Sequence, residues 1–170
     1  GVIIGQIEVI SRVATAFSEF AQLPKRNDEE INLNREIRNV LTIFSDENIF
    51  IHTSHDNIMM KIDKDYLARI IINLVTNASQ AKADNRKSVI NVDIEKIEKR
   101  IKIIVNDNGV GISPDKLEKI FDPNFTSKNS GMGIGLTMVK RMVEDYNGTI
   151  TVVSEVDKGA TFTISMPSNL

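Results

Sequence analysis

The chain has no cysteine and no tryptophan in its 170 residues, and it holds only four prolines and two histidines. Without cysteine, disulfides and thiolate metal sites are excluded. His52 and His55 lie in a polar stretch, without H-E-x-x-H spacing and with no carboxylate cluster beside them. They read as solvated loop residues rather than ligands or catalysts. An excess of charge of one sign is missing too: 21 Lys and Arg stand against 23 Asp and Glu, a formal net of −2. That removes the electrostatic case for a nucleic acid or a membrane surface as partner. No apolar run approaches the roughly 18 residues needed to cross a bilayer, and the first residues do not read as a signal peptide. The expectation is a soluble piece of a longer protein, because the chain starts already inside a helical pattern.

Glycine is scarce but concentrated. Five of the nine, Gly109, Gly111, Gly131, Gly133 and Gly135, fall in one stretch of the chain. An apolar strand over residues 101–105 runs straight into Asp107, Gly109 and Gly111, and the last three glycines open a helical pattern marked by Ile134, Met138 and Met142. A glycine-rich helix entry leaves free N–H groups at the positive end of the helix dipole, which suits an anion and above all a phosphate. Asp107, at the strand end, supplies an acceptor for a donor on the same ligand. A phosphate cradle with one acceptor describes a purine nucleotide pocket. It is not a P-loop, since G-x-x-x-x-G-K-[ST] is absent, and not a dinucleotide fingerprint. The third glycine of the later set falls one place early, and polar residues 126–130 stand where a strand is required.

Elsewhere the periodicities are clear. Ile3, Ile7, Ile10, Ala14, Phe17 and Ala21 form an a/d seam that predicts a long helix over residues 3–21, seeking partner helices. Pro24 ends it, and residues 25–30 read as a charged linker to a domain over 31–170. Asn34 is the expected cap of a helix with Ile37, Val40, Leu41 and Phe44 on one face. Residues 49–51 and 58–62 read as strands of a hairpin around the histidines. Residues 65–83 form a strong helix, followed by a hairpin over 89–106, a short helix from Ser113-Pro114 to about Phe121, a polar lid, a helix over 133–146 and a last strand pair over 149–166. This order predicts an α+β, two-layer sandwich: a mixed sheet of about five strands with three main helices on one face, preceded by one long helix. On the 65–83 helix, Asn73 and Asn77 share a face one turn apart. Asn is a poor helix-interior residue, and an amide oxygen is a hard neutral ligand suited to Mg²⁺.

Taken together, these residues resemble the ATP-binding catalytic domain of sensor histidine kinases, within the superfamily of gyrase, Hsp90-type chaperones and MutL. The resemblance covers about residues 31–168. Asn73-Leu-Val-Thr-Asn77-Ala is similar to the N box, and Asp107-Asn-Gly109-Val-Gly111 to the first glycine box. The run from Phe121 to Lys128 resembles the F box, residues 131–136 the second glycine box, and Gly159-Ala-Thr-Phe162 the last. The segment up to Leu23 resembles the second helix of a dimerisation and phosphotransfer hairpin of the nitrogen-regulation type.

The resemblance implies ATP and Mg²⁺ as cofactors, with Asn77 on the metal and Asp107 accepting from the adenine amine. It implies nucleotide contacts from Asn73, Asn77, Ala81, Gly109, Gly111, Ile112 and Thr161. The lid adds Phe121, Phe125, Thr126 and Lys128, and the second glycine box adds Gly131, Met132, Gly133, Gly135 and Leu136. Asn73 stands where ATP-hydrolysing relatives carry a glutamate general base, and an amide cannot take that proton, which favours phosphate transfer over hydrolysis. The implied partners are a response regulator receiver domain and a second copy through the helical hairpin. The implied setting is the cytoplasmic part of a membrane-anchored bacterial sensor. There are departures: Ala160 stands where many relatives have Thr, Asn124 replaces a Phe, and the helix with the phospho-accepting histidine is absent, so no catalytic residue is assigned. Two other functions of the same superfamily are an anti-sigma-factor-type Ser/Thr kinase and a nucleotide-gated ATPase.

Overall fold

The computed structural model describes residues 23, 25–45, 47–122 and 135–168. Strand β1 (Glu29–Asn32) leads into α1 (Leu33–Leu41) and a 3₁₀ turn, Thr42–Phe44. Strands β2 (Ile49–Thr53) and β3 (Met59–Ile62) precede the long helix α2, Lys64–Gln80. Then come β4 (Ile90–Ile97), β5 (Arg100–Asp107), the one-turn α3 (Pro114–Leu117), α4 (Gly135–Glu144), β6 (Thr149–Glu155) and β7 (Gly159–Pro167). Five strands form one sheet in the order β2-β4-β5-β7-β6. Its β2–β4 pair is parallel and the rest are antiparallel, so the sheet is mixed as the sequence implied.

Alternation of side chains fixes the register. Val92, Val105, Phe162 and Val152 form one cross-strand row, and Ile94, Ile103, Ile164 and Ile150 the next, on the face that meets the helices. The opposite face carries Asp93, Ile104, Thr163 and Thr151 in the corresponding row. A slip by one residue would exchange a wholly aliphatic row for a largely polar one, so burial holds the pairing in place. Each fully buried aliphatic side chain contributes about 1.5–3 kcal/mol, more than a typical net hydrogen bond of about 1 kcal/mol. On the helical side α2 packs against both α1 and α4, with Leu67, Ile70, Ile71, Leu74 and Val75 fully buried.

Several local expectations need correcting. Residues 49–51 and 58–62 do not form a hairpin: β2 joins the main sheet beside β4, and β3 pairs with β1 in a separate two-stranded ribbon. Glu29 and Glu30, read as linker, are therefore the first half of a strand. The cap of α1 is Asn32, whose side chain accepts from the Arg35 N–H. Asn34 instead lies inside the helix, buried, and donates to the His55 carbonyl at 2.7 Å. Helix α2 starts one residue early at Lys64 and stops at Gln80, and α3 ends at Leu117 rather than near Phe121. The helix expected over 3–21 lies outside the described residues.

Residues 25–28 are bound to the domain by a compact polar cluster. The Arg26 guanidinium sits 4.4 Å from the centre of the Tyr146 ring and donates to the Asp145 carbonyl at 2.5 Å. The Tyr146 hydroxyl donates to Asp28 Oδ1 at 2.5 Å and accepts from the Asp63 N–H at 3.0 Å. Asp63 caps α2, its Oδ1 accepting from the N–H groups of Asp65 and Tyr66, while Oδ2 accepts from the Asn27 N–H at 2.6 Å. Burial pushes the Asp63 carboxyl up, but the N–H bonds from Asn27, Tyr66 and Asp65 outweigh it and hold the group below its ordinary value. Burial, and then the bond to Asp28, drive the Tyr146 hydroxyl the other way, well above the usual phenol range.

Candidate functional site

The end of β5 brings the first cluster of expected residues together. Asp107 is the last residue of the strand and lies on its helix-facing side, 4% exposed. Its Oδ1 accepts from the Gly109 N–H at 2.8 Å. A Cβ on residue 109 would stand 2.1 Å from the Ala81 carbonyl oxygen, so glycine is required for this close approach. The next N–H, that of Val110, donates to the same Ala81 carbonyl at 2.7 Å. Asp107, Gly109 and Ala81 thus form one corner, where the turn after β5 rests on the C-terminal cap of α2.

Two further bonds tie this turn to the β6–β7 connection. The Val110 carbonyl accepts from the Asp157 N–H at 2.8 Å, and the Ile112 N–H donates to Ser154 Oγ at 2.8 Å. Gly111 has φ 71°. Ile112 is half-buried against the core. Thr161 does not join the corner. It follows the other phase of β7, on the sheet face opposite Asp107, and its Oγ1 accepts from Asn106 Nδ2 at 2.7 Å. Ala160 holds the phase that faces the helices, because side chains alternate along a strand.

The asparagine pair lies on α2, one turn apart and half-buried. Asn73 Nδ2 donates to the Arg69 carbonyl at 2.8 Å, the i−4 back-bond by which a polar side chain is satisfied within a helix. Its Oδ1 faces the start of α4, where a Cβ on Gly135 would stand 2.5 Å away. Asn73 and Gly135 are therefore brought together. Leu136 and Phe121 are half-buried against the core, and the Phe121 carbonyl accepts from Thr137 Oγ1 at 3.0 Å. Phe125, Thr126, Lys128, Gly131, Met132 and Gly133 fall outside the described residues.

The C-terminal end of α2 has its own anchor. Glu47 Oε1 accepts from Ser79 Oγ at 2.7 Å and from Lys82 Nζ at 2.8 Å, and the bonds from Lys82 and then Ser79 hold its carboxyl below the usual range. Arg86 was not singled out from sequence, where it is one cation in a charged loop. It donates to three backbone carbonyls, those of Asn108 (2.6 Å), Gly109 (2.7 Å) and Asp157 (2.5 Å). Ser154 was also missed; its Oγ takes the Ile112 N–H and donates to the Gly159 carbonyl at 2.7 Å.

As to a divalent cation, no group of three or more His, Cys, Asp or Glu among the described residues is disposed to hold one. Asn77 offers a neutral amide oxygen on the Asn73 face. One protein oxygen fits an ion such as Mg²⁺, which keeps several waters and takes phosphate oxygens for its other positions. His55 Nδ1 lies 2.8 Å from Ser54 Oγ, and His52 is exposed on β2. Among the described residues no helix is long and apolar enough to cross a membrane.

Comparison with known proteins bears on the family and the fold. A family model described as histidine kinase-, DNA gyrase B- and HSP90-like ATPase matches residues 62–170. The sensor histidine kinase ZraS of Escherichia coli (strain K12) is 41% identical over 111 residues, which cover 65% of this chain and 23% of that protein. The chain thus spans about a quarter of the length of that relative, at 23%. The solved catalytic domain of histidine kinase ThkA superposes with a TM-score of 0.75 at 28% identity, covering 84% of this chain and 96% of that one. ThkA solved in complex with the response regulator protein TrrA superposes with a TM-score of 0.75 at 26% identity, over 96% of this chain and 49% of that one.

Proposed function

The chain belongs to the histidine kinase-, DNA gyrase B- and HSP90-like ATPase family as a domain of the sensor histidine kinase type, and from that membership we propose how its residues are used. The domain binds ATP and presents the γ-phosphate to a histidine carried on another segment of the parent protein. From there the phosphate passes to an aspartate of a response regulator. The observation that carries this reading is the corner at Asp107. A carboxylate buried at a strand end has one oxygen fixed by the Gly109 N–H, in a glycine turn that rests on the Ala81 carbonyl.

In this reading Asp107 accepts from the exocyclic amine of adenine, and Ala81, Gly109, Gly111 and Ile112 enclose the base. Ala160, on the same side of the sheet as Asp107, replaces Thr161 in this lining. Asn77 holds Mg²⁺, which would neutralise charge on the phosphates. Gly135 and Leu136 begin the helix behind the phosphates. Phe125, Thr126 and Lys128 with Gly131, Met132 and Gly133 supply the lid and the phosphate contacts. Asn73, whose amide is engaged with the Arg69 carbonyl, cannot serve as a base for water. Residues 1–24 belong to the helical hairpin through which the parent protein pairs with a second copy, residues 25–28 are its link, and the catalytic domain begins with β1 at Glu29. The parent protein is a membrane-anchored sensor with this part in the cytoplasm.

The test uses the chain by itself with γ-labelled ATP. ATP binds in the presence of Mg²⁺, and no acid-labile label accumulates on the chain, because the acceptor histidine lies elsewhere. Label that is lost on replacing His52 or His55 would overturn the assignment of donor and acceptor to separate segments.

A further inference from the structure

Arg86 lies in the loop between α2 and β4, half-buried, and touches no expected ligand group. Its bonds nevertheless converge on the site. Nε donates to the Asn108 carbonyl at 2.6 Å, and one terminal nitrogen donates to the carbonyls of Gly109 (2.7 Å) and Asp157 (2.5 Å). The Asn108 carbonyl and the Gly109 N–H are the two ends of one planar peptide unit, and in a trans peptide they point in opposite directions. The Gly109 carbonyl and the Val110 N–H are the ends of the next. Arg86 therefore grips two consecutive peptides by their oxygens. The N–H of the first donates to Asp107 Oδ1, and the N–H of the second donates to Ala81.

We infer that Arg86 is a positioning residue for base recognition, orienting the Asp107 carboxylate through the Asn108–Gly109 peptide. The inference rests on the nucleotide reading above. A guanidinium on a carbonyl oxygen polarises the peptide and strengthens its N–H as a donor. Planarity converts that grip into a fixed direction for the N–H, and so for the carboxylate that accepts from it. Asn108 secures Arg86's own segment to the same peptide: its Oδ1 accepts from the Val89 N–H at 2.9 Å, and its Nδ2 donates to the Lys87 carbonyl at 2.9 Å. The third bond, to Asp157, holds the β6–β7 connection against the same guanidinium. Lysine cannot replace this fork, since a single ammonium has no fixed planar spread of donors.

The chain, Arg86→Ala and Arg86→Lys are titrated with ATP and with purine riboside triphosphate, which lacks the 6-amino group. The wild-type preference for ATP should shrink by about tenfold in Arg86→Ala, corresponding to one charge-assisted bond. The affinity for the analogue should stay within about threefold, and Arg86→Lys should fall between. Amide hydrogen exchange without nucleotide gives a second reading: the Gly109 N–H should lose protection in Arg86→Ala while the centre of β5 keeps its own. Equal loss of both nucleotides would show a merely structural role and overturn the inference, as would unchanged selectivity or an unchanged Gly109 rate. Failure of the wild type to bind either nucleotide would overturn the nucleotide reading and this inference with it.

Discussion

A Cβ placed on Gly159 would stand 1.9 Å from the backbone carbonyl oxygen of Asp107. Gly159 also has φ +101°, a conformation that residues with a Cβ rarely adopt. The first residue of β7 is thus pressed against the backbone of the residue that, in our reading, meets the base. The β6–β7 connection and the end of β5 approach too closely for a side chain at residue 159.

Gly159→Ala should therefore weaken stability and site together. Backbone strain of about 1–3 kcal/mol adds to displacement of the Asp107 backbone, so the variant should lose at least about 2 kcal/mol in urea denaturation. Its ATP affinity should fall as well. A variant as stable as the wild type would contradict the close approach.

Asp107→Ala removes the acceptor of the Gly109 N–H and, in our reading, the acceptor for the adenine amine. A charge-assisted hydrogen bond of about 1.5–3 kcal/mol corresponds to a loss of about 10- to 150-fold in ATP affinity. Guanine presents a carbonyl where adenine presents its amine, so the wild type should discriminate against GTP and the variant should not. Calorimetric titration with both nucleotides checks this. Equal wild-type affinities would refute the role.

Asn77→Ala should weaken Mg·ATP binding far more than binding of ATP in excess EDTA, because the amide is assigned first of all to the metal. Titrations under the two conditions give the comparison, and similar losses in both would remove the metal role.

The cap at Asp63 predicts a pH effect with a definite sign. Its pKa is depressed in the folded chain relative to an unfolded value of about 3.9. The associated stability is therefore present above that value and is lost as pH falls through the folded pKa. The stability gap between wild type and Asp63→Asn should be constant near pH 7 and close progressively below about pH 4. Urea titrations across that range measure it, and a gap that widens on acidification would contradict the assignment.

What the sequence made legible was local. The α2 stripe, the β4–β5 hairpin and the glycine turn after β5 each follow from a period or a turn signal within about ten residues. The mixed sheet and the helical layer follow from their order. The failures are of two physical kinds. Pairing of β2 with β4, and of β1 with β3, joins strands distant in the chain, and the polar stretch holding His52 and His55 imitates a hairpin turn. At α1 the choice between Asn32 and Asn34 as cap rests on which one is drawn inside, and Asn34 is buried where it reaches the His55 carbonyl. Thr161 lies on the face opposite Asp107, a placement that one residue of strand phase decides. Arg86 left no pattern at all, since its partners are main-chain carbonyls that any sequence would offer.

The Tyr146 hydroxyl, held between Asp28 and the Asp63 N–H, has a mechanical consequence. Tension on the chain ahead of Asp28 passes at once to the start of α2 and to the turn that ends α4, because one phenol is knotted to both. Those two helices carry Asn73 and Gly135, which face each other farther along. Residues 26–28 are thus fastened to both helices, and freeing them means first breaking the Tyr146 bonds.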